Sequence, residues 1–288
     1  MPIVSQHGHV DPACLATNAP FPEPTALIVQ PDHYLLRLMY ANGVSLESLG
    51  VPRLDGAPVE SEPRAVWRLF AAHYHRFRGT PSGAWLDFEF AEVFGIGVEL
   101  GPATADRVYD EILERLATAE FRPRALFERF RIEVLATTDG AADSLAHHEA
   151  IRASGWAGKV IPTFRPDGVF RLASPQWRRE LAALERAHGS AIAHVGELVA
   201  ALEQRRVRFR SLGATATDHG VQEPRTGRLS ADNAEAAFQR ALRGEATAAD
   251  QSDFEAHLLM EMARMSIDDG LVMQLHSGVL RDHNRQLL

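Results

Sequence analysis

The sequence predicts an α/β fold of parallel strands joined by crossover helices, interrupted after its first strand by a mostly helical insertion. Three observations predict it. Residues 2–6 form a short apolar, β-leaning run; the chain up to residue 130 carries helical rather than strand patterning; and strand-then-helix alternation sets in after that point.

The opening run leads directly into His7-Gly8-His9. The stretch from Val10 to Gly56 is rich in proline and asparagine and reads as loops with one helix near 33–42. From residue 61 to 130 the pattern is helical, with Val66, Leu69 and Phe70 on one face and Val108, Ile112, Leu113 and Leu116 on another. Gly79-Thr80-Pro81-Ser82-Gly83 breaks this block in the middle. Later strand candidates are Arg131–Ala136, Lys159–Thr163, Val207–Gly213 and Leu271–His276. Helices are expected near 143–153, 175–188, 190–205, 231–243 and 252–266. The second of these is framed by Ser174-Pro175 and Gly189, matching the preference for a capping hydroxyl, a first-turn proline and a terminal glycine. The chain therefore divides into a first barrel strand at 1–9, a helical insertion at 10–130, and the remaining βα units at 131–288, forming one structural domain plus its insertion. There is no internal repeat and no low-complexity segment.

Bulk properties narrow the function classes. The 288 residues suffice for a large core, and 45% hydrophobic with 24% charged residues is ordinary for a soluble globular protein. A net charge of −8 argues against a general nucleic-acid binder, which needs a basic face to displace counterions. Lys159 is the only lysine, so the basic residues are otherwise arginine, a pattern that reflects composition bias more readily than a binding role. Cys14 is the single cysteine, which excludes an intramolecular disulfide and fits a reducing compartment. The amino terminus lacks the basic and long apolar regions of a signal peptide, and no stretch approaches the roughly 20 apolar residues that cross a bilayer. The expected location is the cytoplasm, with no membrane partner.

Chemistry-bearing residues collect at the ends of the candidate strands. On a strand, side chains at i and i+2 share a face, so His7 and His9 can reach one ion. Standing alone, the pair reads more readily as two solvated histidines near a terminus. Its position at the end of the first strand favours the site reading, because barrel active sites lie at the C-terminal ends of strands. Thr137-Thr138-Asp139, Phe164-Arg165-Pro166-Asp167 and Thr217-Asp218-His219 follow the next three strands, and His276 ends the fifth. Singly, Asp139 and Asp167 are turn or capping residues and Arg165 a surface charge; together they compose a polar mouth. Off the strands, Asp32-His33-Tyr34 joins an acid, a base and a phenol able to transfer protons, although a helix cap suffices to explain Asp32. Arg178-Arg179 and Arg205-Arg206 read as solvated helix faces.

Taken in order, these motifs resemble those of the uronate (glucuronate) isomerases of the amidohydrolase superfamily. The resemblance rests on His7-Gly8-His9, Asp32-His33-Tyr34-Leu35-Leu36-Arg37, Phe94-Gly95-Ile96 and Thr137-Thr138-Asp139. It continues with Asp143 and His147-His148, Phe164-Arg165-Pro166-Asp167, Thr217-Asp218-His219 and Met273-Gln274-Leu275-His276. It extends over essentially the whole chain and implies a metal-dependent (β/α)8 TIM barrel with a helical insertion after strand 1. The implied reaction is aldose–ketose isomerisation of hexuronates: D-glucuronate to D-fructuronate, and D-galacturonate to D-tagaturonate. His7 and His9 match the family's metal-binding pair, His33 and Tyr34 its catalytic His-Tyr, and Arg165 an arginine that holds the substrate carboxylate. Asp218, His219 and His276 are expected to bind substrate, and His219 or His276 is a candidate further metal ligand. The implied cofactor is a divalent cation, with zinc the first candidate. The implied partners are a small sugar-acid substrate and further copies of the chain in a homo-oligomer.

One departure from the family stands out. Its metal site is completed by an aspartate after the eighth strand, closely followed by an arginine, and no residue of this chain is assignable to either role. Counting gives the same expectation: after ~120 residues of insertion, ~170 remain, enough for five or six βα units of roughly 30 residues each. A barrel truncated after about five such units is expected to be a poor isomerase by itself and to expose a hydrogen-bonding edge. The competing readings are a metal-dependent hydrolase on the same scaffold and a non-enzymatic remnant.

Overall fold

A computed structural model describes residues 1–278, so the last part of the expected 131–288 segment lies outside the described residues. The described residues separate into two compact units, one made of Met1–Thr17 with 130–278, the other of Asn18–Arg129.

Among the described residues the first unit is an α/β fold with seven strand segments: β1 (Ile3–Ser5), β2 (Ile132–Ala136), β3 (Asp139–Gly140), β4 (Lys159–Ile161), β5 (Phe164–Arg165), β6 (Ala216–Val221) and β7 (Val272–Ser277). Every pairing is parallel. They form a three-stranded sheet β1-β2-β4 and a four-stranded sheet β3-β5-β6-β7. The two are continuous in hydrogen bonding, because the amides of Thr137, Asp139 and Ala141 donate to the carbonyls of Ile161, Thr163 and Arg165. β2–β3 and β4–β5 thus act as single strands with a bend, and successive strands add in chain order on one side. That singly wound order is the one a β/α barrel uses. The outermost strands keep exposed apolar side chains, Ile3 and Val4 on β1 and Val272 and Leu275 on β7.

Helices connect the strands, and their caps explain their ends. The 231–243 helix falls where expected, with the Ser230 hydroxyl accepting from the Asn233 amide and Gly244 closing it in the left-handed conformation. The following helix runs Ala248–Asp269, longer than expected at both ends, because Thr247 and Asp250 form a capping box. The helix before Gly189 begins at Trp177, two residues beyond Pro175. Its Ser174 hydroxyl instead organises the preceding turn through Gln176.

The expected strand at Val207–Gly213 is incorrect. That segment ends the helix Val195–Ser211, and the strand starts at Ala216. Val207-Arg208-Phe209-Arg210 alternates like a strand, but burial follows the helical period: Leu198, Leu202, Arg205, Arg206 and Phe209 face inward while Val207 is exposed. The solvated reading of Arg205-Arg206 fails for the same reason. Arg206 is 1% exposed and grips Asp269 through Nε (2.6 Å) and Nη2 (2.8 Å), and Arg205 donates through Nε to the Ala141 carbonyl (2.8 Å) and through Nη2 to that of Asp143. Both link the helix to neighbours that sequence periodicity does not reveal. Arg178 and Arg179 are exposed, as expected.

The second unit is helical and packs around Trp67, Phe70, Tyr74, Phe90 and Tyr109. Polar tips are satisfied within that core: Trp67 Nε1 donates to the Ala105 carbonyl (2.9 Å), Tyr74 to Asp87 (2.7 Å) and Tyr109 to Glu23 (2.9 Å). The break at 79–83 is a turn in which Thr80 caps the helix Pro81–Phe88. The helix near 33–42 forms as His33–Ala41, but the region before it is more ordered than its composition suggests, because the Glu23 carboxylate caps the Thr25 and Ala26 amides. Among the described residues no helix is long and apolar enough to cross a membrane.

Candidate active site

Strand alternation determines which side chains meet. On β6, Asp218 and Gly220 face one way and Thr217, His219 and Val221 the other. On β7, Gln274 and His276 share a face, and the register sets Asp218 beside Gln274 and Gly220 beside His276. Just after β1, His7 places Nδ1 2.9 Å from Gln274 Oε1, while Gln274 Nε2 donates to the Gln6 carbonyl (3.2 Å). Gln274 thus links the end of the first strand to the last described one. Sequence reasoning assigns it no role, although its position two residues before His276 on the same strand is a signal that could have found it.

The result is a cluster of His7, Asp218 and His276, with one ligand-capable atom of each within 4.8 Å of the others. His9 joins it, with Nε2 3.2 Å from His7 Nε2. Asp218 is fully buried, whereas both His7 and His276 reach solvent. Its carboxylate lies 2.9 Å from His276 Nδ1 and 3.2 Å from Arg165 Nη1, yet neither oxygen receives a directed hydrogen bond. A buried carboxylate in this condition is costly unless something else neutralises it. Partial burial, followed by the neighbouring charges of His7 and Arg165, holds His9 below the usual histidine range and so favours the neutral imidazole that ligates metals.

The segment carrying the histidines is held by its neighbours. The Thr138 hydroxyl donates to the Gly8 carbonyl (2.9 Å). A side chain at Gly8 would put its Cβ 2.8 Å from the Ala136 carbonyl oxygen, so glycine serves close backbone approach here. Beneath it, the Thr137 hydroxyl donates to Asp139 (2.6 Å) and contacts His148 Nε2 (2.9 Å). Burial raises the Asp139 carboxyl to about 6 and lowers His148. Arg165 lies on the cluster's edge. Its Nε donates to Asp167 Oδ2 (2.8 Å), which also accepts the Gly220 amide (3.0 Å).

The remaining expected site residues are His219, on β6, and His33 and Tyr34, in the helical unit. His219 is fully buried on the opposite face of β6 from Asp218, with Nε2 3.0 Å from the Thr217 hydroxyl and its ring against Phe170. The structure therefore does not bring it to the cluster, because adjacent strand residues point to opposite faces. His33 and Tyr34 belong to the helical unit, in the first turn of His33–Ala41, where both are exposed and their rings are 4.2 Å apart. Asp32 caps that helix, accepting the Tyr34 amide at 2.8 Å.

Comparison with known proteins follows the same lines. Residues 1–288 match the family described as glucuronate isomerase. The chain is 50% identical over 288 residues to a uronate isomerase of Nostoc punctiforme, covering all of this chain and 61% of that protein. It is 48% identical over 287 residues to one from Xanthomonas euvesicatoria, again covering 61% of the relative. The crystal structure of a glucuronate isomerase from Caulobacter crescentus superposes with a TM-score of 0.96 at 46% identity, over 100% of this chain and 60% of that one. A uronate isomerase from Thermotoga maritima does so with a TM-score of 0.90 at 26% identity, over 100% and 62%. The chain thus spans about three fifths of the length of the curated relatives it matches.

Proposed function

The chain belongs to the glucuronate isomerase family, and from that premise we propose that it interconverts aldo- and keto-hexuronates on a (β/α)8 scaffold. The pairs are D-glucuronate with D-fructuronate and D-galacturonate with D-tagaturonate. The observation that carries the reading is the buried Asp218 carboxylate, without a directed hydrogen bond, meeting His7 and His276 beside Arg165.

This donor set fits a divalent cation, and zinc suits it because neutral imidazoles and a carboxylate are its ordinary ligands. His7, His9, Asp218 and His276 would hold it. Bound there, the cation would polarise the substrate's carbonyl and hydroxyl oxygens and stabilise negative charge developing on them.

The chain's own residues perform the rest. Arg165, whose side chain is partly exposed, takes the substrate carboxylate and fixes which end of the sugar enters. Isomerisation moves one proton from C2 to C1 and one from O2 to O1 through an enediol, with no net redox change. His33 Nε2 or the Tyr34 hydroxyl serves as the proton carrier, a role their side-chain chemistry permits. His276 and Asp218 also orient the sugar hydroxyls. A cytoplasmic, homo-oligomeric protein acting on a small sugar acid is part of the same proposal.

To test it, zinc-loaded protein is incubated with D-glucuronate and ketouronate formation is followed by NMR. Turnover supports the reading. Hydrolysis of a sugar lactone or amide without isomerisation overturns it in favour of a hydrolase.

A further inference from the structure

Arg165 is held in an unusual way. A guanidinium beside a carboxylate commonly presents two nitrogens to two oxygens. Here Asp167 engages Nε alone through Oδ2, and Nη1 lies toward Asp218, leaving Nη2 without a hydrogen bond among the described residues. Asp167 is 7% exposed, and its other oxygen, Oδ1, is buried with no partner among the described residues. As a stability device this is poor, because a desolvated carboxylate with half its acceptors unused forfeits much of its attraction. As a means of aiming a guanidinium it is effective, since one oxygen pins Nε and leaves the outer edge free.

Gly220 completes the arrangement from β6. Its amide donates to the same Asp167 Oδ2 (3.0 Å), and its carbonyl accepts from Arg171 Nη2 (3.3 Å), so the peptide is gripped on both sides. A Cβ built on Gly220 would lie 2.4 Å from Arg165 Nη2, 3.2 Å from Asp167 Oδ2 and 3.2 Å from His276 Nε2. The space a side chain would occupy is where the free edge of the arginine lies. Gly220 does not have a positive φ, so backbone conformation is not what requires glycine there. The requirement is room for Arg165.

We propose that Asp167 and Gly220 are the positioning residues of Arg165. Asp167, fixed by the Gly220 amide, holds the guanidinium by Nε so that its Nη2 edge faces the substrate carboxylate, and the missing side chain at 220 leaves that edge its place. This rests on the reading of Arg165 as the carboxylate-binding residue, and it makes position 220 a determinant of selectivity for acidic over neutral sugars.

The experiment measures D-glucuronate binding by calorimetry to the zinc-loaded protein and to Arg165→Met, Asp167→Ala, Asp167→Asn, Gly220→Ala and the Arg165→Met/Asp167→Ala double variant. Zinc content and thermal midpoint are recorded for each. Asp167→Ala and Gly220→Ala are expected to weaken binding by about tenfold or more, the worth of one charge-assisted hydrogen bond. Asp167→Asn, which keeps an acceptor in place, should recover part of the loss. The double variant should bind no more weakly than Arg165→Met, because Asp167 acts only through Arg165. Gly220→Ala is the gentler probe, since its methyl meets the end of a flexible side chain, and it answers the question if Asp167→Ala does not fold. Weakened binding by Arg165→Met with unchanged binding by Gly220→Ala and Asp167→Ala overturns the positioning proposal. So do additive losses in the double variant. Unchanged binding by Arg165→Met instead overturns the carboxylate reading beneath it.

Discussion

Asp218 and His276 are diagonal neighbours across β6 and β7, yet Asp218 Oδ1 lies 2.9 Å from His276 Nδ1. The register sets Gly220, not Asp218, beside His276. With no side chain at 220 to intervene, the imidazole leans along the sheet toward the carboxylate. The approach of the two groups therefore depends on a glycine as much as on the groups themselves.

Metal content should follow these residues. The wild type is expected to hold one equivalent of zinc or a similar divalent ion, and His7→Ala/His9→Ala to hold none after dialysis. Asp218→Asn keeps the shape but loses the charge, and should weaken binding by at least about tenfold. Elemental analysis with a chelator competition measures both, and equal stoichiometry across the three proteins rules out the assignment.

Arg165→Met should lower kcat/KM for D-glucuronate by an amount corresponding to about 2–5 kcal/mol, the usual cost of removing one partner of a buried, hydrogen-bonded charge pair. Steady-state kinetics on the zinc-loaded protein decide it. Unchanged KM and kcat would remove Arg165 from substrate binding.

Gly8→Ala should disturb the metal site without touching a ligand. Its Cβ would meet the Ala136 carbonyl oxygen at 2.8 Å, a backbone atom that cannot swing aside. A stability loss of about 1–3 kcal/mol is expected, together with weaker metal binding as His7 and His9 shift. Thr138→Val, which removes the hydrogen bond to the Gly8 carbonyl, should cost about 0.5–1.5 kcal/mol. Urea unfolding with and without zinc separates the two effects.

Two buried groups give opposing pH dependence. Burial raises Asp139 from 3.8 to about 6, so the folded chain binds that proton more tightly than the unfolded chain does. Its contribution is fully present below 3.8 and is lost as pH rises through about 6. Burial, then Arg206 and Arg165, lowers His219 from 6.5 to about 3, so the unfolded chain takes up a proton that the native one refuses. That contribution is present above 6.5 and is lost as pH falls toward 3. Asp139→Asn should therefore steepen the fall in stability on acidification below pH 6, and His219→Asn should flatten it. Urea midpoints between pH 4 and 7 for both variants measure the slopes; identical slopes in all three proteins would contradict the burial argument.

The parts of this site legible in the sequence are those set by local periodicity. His7 and His9 stand out by their place just beyond β1 and His276 by its place near the end of β7, whereas Asp218, expected to follow a strand at 207–213, lies inside β6. His219 misleads for the same reason that it attracts notice: it sits beside Asp218 in the chain and hence on the other face. Position 207–213 misleads because a helix end can alternate apolar and charged residues by chance while its buried face follows another period. Asp167 and Gln274 stand within recognisable motifs, but their roles depend on Gly220 and His7, partners 53 and 267 residues away. No local pattern encodes pairings of that range.

The spacing of the first parallel pair has a consequence for how the chain matures. Ile3 pairs with Ile132, so β1 has no partner strand until the whole helical unit has left the ribosome. Closing a loop of that length delays docking but adds little to its equilibrium cost, because closure entropy grows only logarithmically with length. The residues proposed to hold a cation are spread still further, from His7 through Asp218 to His276. On that proposal a nascent chain with only the first histidines would hold an ion loosely, and firm retention would begin when β6 and β7 dock. Acquisition of chelator-resistant zinc during synthesis would therefore time the arrival of those strands, making the ion a reporter of assembly as well as of the proposed chemistry.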